Sequence, residues 1–193
     1  MLKLTARNQI WIGLALVALM AVTRGQHFAA LGQHLPDASL AVFFLAGLYL
    51  RPAWGFALLF AAALSIDVAA VTWGGVSSFC ISPAYLLLVP AYGAMWAAGR
   101  WYGKRYRFAW STLLPLSASL LAGATVAELL ASGGFYLFSG RFADLSLAEL
   151  GSRLVAYFPA SLEALALYAV LAAIAHTAVV LVANARHRDL TAG

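Results

Sequence analysis

The stretch AWGFALLFAAALSIDVAAVTW, residues 53–73, is the most legible part of this chain. It carries one charge, Asp67, and no proline. About 20 apolar residues in helical form cross the hydrocarbon core of a bilayer. In lipid every backbone N–H and C=O must be satisfied inside its own segment, so an apolar run of this length reads as a transmembrane helix. On either side lie five more apolar runs, near residues 8–23, 38–50, 83–101, 109–135 and 159–183. Together they predict an all-α integral membrane protein, a single domain of six transmembrane helices over residues 1–193. The first two runs are short for a bilayer and reach toward the stretch between them, 24–37.

Composition agrees. Of 193 residues, 64% are hydrophobic and 10% charged, and mean hydropathy is +0.87. An average soluble domain is about 25% charged. This chain lacks the residues for a polar shell, which excludes a soluble enzyme, a nucleic-acid binder, a coiled coil and a disordered chain. The net charge of +5 reads as a record of which loops face the cytoplasm. With six spans and the N-terminus inside, Lys3, Arg7, Arg51, Arg100, Lys104, Arg105, Arg107, Arg186 and Arg188 fall inside, and Arg24, Arg141 and Arg153 outside. That bias predicts both termini cytoplasmic; the membrane is expected to be a bacterial inner membrane. The stretch 1–22, with Lys3 and Arg7 before its apolar run, is read as a retained first span because no small-x-small cleavage pattern follows.

Punctuation fits the same frame. Pro36-Asp37 prepares the second span, and Arg51-Pro52 makes a tight inner turn. Pro83 and Pro159 are expected in first turns, where a missing N–H is harmless. Pro90 and Pro115 are expected to kink the fourth and fifth spans. Ser119, Gly123, Ala127 and Ala131 form a small-residue stripe suited to close packing within the bundle.

Carboxylates inside spans are costly and face a cavity or a partner. Asp67, Glu128 and Glu163 fall at similar depth in the outer half, which suggests an outward polar cavity. Pairing with Arg24, Arg141 or Arg153 competes with that reading; Arg153 is placed to meet Glu163, and a helix dipole to stabilise it. The loop that follows Asp67, Trp73-Gly74-Gly75-Val76-Ser77-Ser78-Phe79-Cys80-Ile81-Ser82-Pro83, has two glycines, three serines and the one thiol of the chain. A thiolate is a soft metal ligand and a nucleophile; a buried cysteine acting as a small hydrophobe is the competing reading. Tyr85 follows on the same side. His27 and His34 share the first outer loop without zinc-motif spacing, and His176 reads as a packing or snorkelling residue. Trp73, Trp101, Trp110, Phe135 and Tyr136 mark span ends.

These residues resemble a known family. A six-span chain of this length with outward loops and a basic inner face looks like an S-component of the energy-coupling-factor (ECF) vitamin transporters. The segment Ser77-Ser78-Phe79-Cys80-Ile81-Ser82-Pro83-Ala84-Tyr85 preceded by Asp67 resembles the BtuM family, the cobalamin-specific S-components. The resemblance implies six helices around a vitamin cavity near the outer surface, and binding and uptake of cobalamin (vitamin B12) or a close corrinoid. It implies Cys80 as axial ligand of the corrinoid cobalt with the nucleotide base displaced. Asp67, Tyr85, His27, Ser77, Ser78, Phe79 and Tyr136 become candidate substrate contacts. A thiolate donor opposite an upper cyanide labilises it, so cyanocobalamin is expected to lose cyanide in the presence of a reductant. The resemblance further implies an ECF energising module, a transmembrane subunit with ATPases, as partner. Span one offers Gly13, Ala15, Ala18 and Ala21 in place of a plain Ala-x-x-x-Ala docking stripe. The chain has no nucleotide-binding motif of its own. Two alternatives stay open: a membrane-embedded enzyme with Cys80 as nucleophile, and an S-component for another vitamin.

Overall fold

The computed structural model describes residues 4–24, 35–74, 82–142 and 145–192, the last few by backbone alone. Six α-helices follow in chain order: α1 (Ala6–Arg24), α2 (Ser39–Tyr49), α3 (Trp54–Trp73), α4 (Leu88–Arg105), α5 (Leu113–Phe138) and α6 (Leu147–Ala192). Short 3₁₀ turns, Pro83–Leu87 and Trp110–Thr112, lead into α4 and α5. No strand occurs among the described residues. Helices α1, α3, α5 and α6 are long and apolar enough to cross a membrane; α2 is an apolar helix of 11 residues. Cys80, Ser77, Ser78, Phe79 and His27 lie outside the described residues.

Helix α2 is the centre of the bundle. Ser39 and Ala41 to Gly47 are buried, enclosed by α4, α1 and α6. Lipid tails are as apolar as leucine, so helices in a membrane associate through close packing. Here α2 and α4 approach each other closely. A Cβ at Gly47 would fall 2.1 Å from the Trp96 carbonyl oxygen, and one at Gly99 2.0 Å from that of Phe44. Only glycine permits these reciprocal backbone contacts. Phe43 then stacks on Tyr92 at 4.3 Å and meets Phe56 at 5.5 Å. The small-residue stripe of α5 packs inward on α4: a Cβ at Gly123 would stand 2.9 Å from Ala98 Cβ, and Ser119 and Ala127 are buried.

Three prolines sit elsewhere than the sequence suggests. Pro90 and Pro115 are each the third residue of a helix, α4 and α5. The 3₁₀ turns at the start of each apolar run delay the α-helix, so both rings occupy first turns whose N–H groups have no intrahelical acceptor and no kink is required. Pro159, by contrast, lies inside α6. The helix begins at Leu147 because Ser146-Leu147-Ala148-Glu149 is a capping sequence: Ser146 Oγ accepts the Glu149 N–H at 3.1 Å. Glu149 is in turn held by Arg153 at 2.9 Å. At 1.5 Å per residue, the 46 residues of α6 run about 69 Å, more than twice the hydrocarbon thickness of about 30 Å. Pro83 opens its 3₁₀ turn as expected, and the Arg51-Pro52 turn closes with Gly55 N–H donating to Pro52 O at 3.1 Å.

Candidate functional site

The ends of α1 and α3 meet the starts of α2 and α4, and there the polar side chains converge. Arg24, the last residue of α1, reaches across to α3: its Nε and Nη2 each donate to Asp67, both at 2.6 Å. Its Nη1 donates to Ser39 Oγ at 2.8 Å and to the Tyr92 hydroxyl at 2.7 Å. Tyr85, in the 3₁₀ turn, donates its hydroxyl to Asp67 Oδ2 at 2.6 Å. Asp37 closes the set, accepting from Ser39 Oγ at 2.7 Å and lying 3.8 Å from Arg24.

Each position has a local cause. Arg24 sits at the C-terminus of α1, where the exposed carbonyls favour a cation. Asp37 stands just before α2 and accepts the Ser39 N–H at 3.1 Å, at the end that favours an anion. Asp67 lies six residues before the end of α3, about 9 Å from it at helical rise. A bare carboxylate or guanidinium at that depth is expensive, and the bidentate fork satisfies both. Arg24 and Asp67 are 13% and 21% exposed, so the pair is largely shielded.

Asp67 and Tyr85 are therefore brought together, with Arg24 between them and the core. The two connections whose residues carry the other candidates, 25–34 and 75–81, both leave from this end, after Arg24 and after Gly74. Tyr136 is buried, and its hydroxyl accepts the Ser146 N–H at 2.8 Å, tying the end of α5 to the start of α6. The guanidinium of Arg153 lies 4.3 Å over the Phe142 ring.

The other two carboxylates part company with Asp67. Glu128 is buried and accepts from Ser132 and from Ser161, the latter at 3.2 Å, which links α5 to α6. Glu163 is exposed on the fifth turn of α6. Arg153 pairs with Glu149 rather than with Glu163. Because α6 starts sixteen residues before Glu163, the dipole stabilisation expected for that residue is absent: it acts only in a first turn.

Sequence reasoning left two groups unresolved. Arg24 was one of several basic candidates, and nothing in the pattern singled out its azimuth. His176, near the other end, bridges two phenols, with Tyr49 Oη 3.1 Å from Nδ1 and Tyr106 Oη 2.7 Å from Nε2. A neutral imidazole donates through one nitrogen and accepts through the other, so one tyrosine accepts and its partner donates. Burial pushes the Tyr106 phenol up. Among the described residues no three His, Cys, Asp or Glu side chains gather as a metal site.

Fold and site together define an α-helical multi-pass membrane protein with a charged, hydrogen-bonded cluster at one end of the bundle. No family model matches the chain, and no curated protein matches it significantly.

Proposed function

We propose that this protein binds cobalamin or a close corrinoid at the outer face of a bacterial inner membrane and serves in its uptake. In this reading all six helices cross the bilayer with both termini inside. Cys80, as thiolate, is the axial ligand of the corrinoid cobalt in a base-off complex. The observation that carries the reading is the Arg24–Asp67–Tyr85 cluster at the end from which residues 75–81 depart. A soft ligand on a connecting segment needs a rigid base. The carboxylate of Asp67 supplies one by holding α1, α3 and the turn before α4 together. Asp67 and Tyr85 thus position the mouth, and Ser77, Ser78, Phe79 and His27 supply contacts to the vitamin. Energisation by an ECF module belongs to the same proposal.

The test is colour and metal. Protein purified with added cobalamin is expected to be pink to orange, with cobalt near one per chain and an absorption spectrum lacking the coordinated base. Cys80→Ala is expected to change the axial-ligand bands or abolish retention. Colourless protein, or a spectrum indifferent to Cys80→Ala, overturns the proposal.

A further inference from the structure

We infer that the opposite end of the bundle binds one anionic phospholipid, its acyl chain in an apolar hollow and its phosphate in an adjoining basic one. This site stands apart from the vitamin reading and shares no residue with it.

The first hollow, about 330 Å³, lies where the ends of α2 and α4 meet the start of α5 and the later turns of α6. Leu45, Leu48, Leu113 and Leu116 are among its walls, and the Tyr49–His176–Tyr106 bridge lies along it. The second, about 340 Å³, presents Lys104, Arg105 and Arg107 with the hydroxyl-bearing Ser111 and Thr112. The two are neighbours: Tyr106, Arg107 and Thr112 belong to both. Their common wall is held in place, because Thr112 Oγ1 donates to the Arg107 carbonyl at 2.7 Å and accepts the Arg107 N–H at 3.2 Å.

Charge and shape select the occupant. A free anion would use the basic hollow alone, and a neutral apolar molecule the other alone. A molecule that fills both has an anionic head joined to an apolar chain. Phe108 and Trp110, 54% and 88% exposed, stand beside the shared wall, as aromatic residues do at the level of lipid headgroups. The guanidinium of Arg105 lies 3.9 Å over the Trp101 ring, which holds one cation at that level. Basic side chains collected near a helix end are explained by topology alone; an apolar hollow that shares a wall with them is not. Basic pockets between helices on the inner side are suited to anionic headgroups.

The test uses the full chain in detergent micelles, with equimolar dioleoyl phosphatidylglycerol and dioleoyl phosphatidylcholine, read by native mass spectrometry. Phosphatidylglycerol is expected to be retained at least about fivefold over phosphatidylcholine. Lys104→Gln and Arg107→Gln are each expected to lower that ratio about fivefold, the factor for one basic side chain near an anionic surface. Arg107→Lys keeps the charge and is expected to keep the preference, which separates a lost site from a misfolded variant. Ala173→Trp, in the apolar hollow, is expected to lower retention of both lipids. Equal retention of the two lipids, or a ratio unmoved by both glutamine variants, overturns the inference. So does displacement of phosphatidylglycerol by millimolar inorganic phosphate, which would make this an anion site, or a dimer mass that Ala173→Trp abolishes, which would make it a contact between copies.

Discussion

Replacing Asp67 with asparagine keeps the shape of the side chain and removes its charge. The carboxylate accepts three hydrogen bonds, two from Arg24 and one from Tyr85, all at 2.6 Å. An amide has one acceptor oxygen and places two N–H groups against a guanidinium or a hydroxyl. Hydrogen bonds to charged groups contribute about 1.5–3 kcal/mol each, and breaking a buried ion pair from one side costs about 3–5 kcal/mol. The pair here is shielded rather than fully buried, and Arg24 keeps Ser39 and Tyr92 as acceptors. The expected loss for Asp67→Asn is therefore at the lower edge, about 3 kcal/mol. Tyr85→Phe removes one bond and is expected to cost about 1.5 kcal/mol. In Arg24→Gln/Asp67→Asn no charge is left behind, so the double variant should lose at least about 2 kcal/mol less than the sum of the singles. Reversible unfolding in mixed micelles, followed by fluorescence of the 6 tryptophans, measures all three. Asp67→Asn within about 0.5 kcal/mol of wild type, the range of a surface change, would refute the reasoning, as would additive singles.

Further outcomes are expected at four other positions. Gly99→Ala puts a methyl group 2.0 Å from the Phe44 carbonyl oxygen and must part α2 from α4, costing at least about 3 kcal/mol in the same unfolding assay. Gly93→Ala on the same helix meets nothing within 4 Å and is expected to be neutral or stabilising by up to about 1 kcal/mol; a large loss there would mean that α4 packs otherwise. Tyr106→Phe takes away the 2.7 Å bond to His176 and is expected to cost about 1 kcal/mol, while Tyr106→Trp in the same position should cost more by overpacking. Ser146→Ala removes the cap of α6 and is expected to cost about 1 kcal/mol and to speed amide exchange in the first turn from Leu147; unchanged exchange there would place the helix start elsewhere.

Much of the architecture was readable one residue at a time. The membrane class, the helical state of each apolar run, the turn at Arg51-Pro52 and the inward-facing stripe on α5 depend on composition and on neighbours within a few positions. So did the presence of a capping sequence at Ser146-x-x-Glu149, which lengthens α6; the apolar pattern beginning at Pro159 obscured it. Pro90 and Pro115 misled for the opposite reason. An apolar run has the same hydropathy whether its first turn is 3₁₀ or α, so the helix start, and with it the role of the proline, is not visible in hydropathy.

The site divides in the same way. Asp67 stands out in any reading, since one carboxylate in an apolar helix demands a partner. Which partner it takes is a different kind of question. Arg24 lies 43 residues away, and Tyr85 18 in the other direction; Tyr49 and His176 are separated by 127. Local chemistry determined that this chain lives in a membrane as helices with a costly charge to satisfy. Only the packing of the helices against one another, which sets how each is rotated about its axis, decided which charges and hydroxyls meet, because rotation depends on contacts between distant segments and leaves no trace in either segment alone.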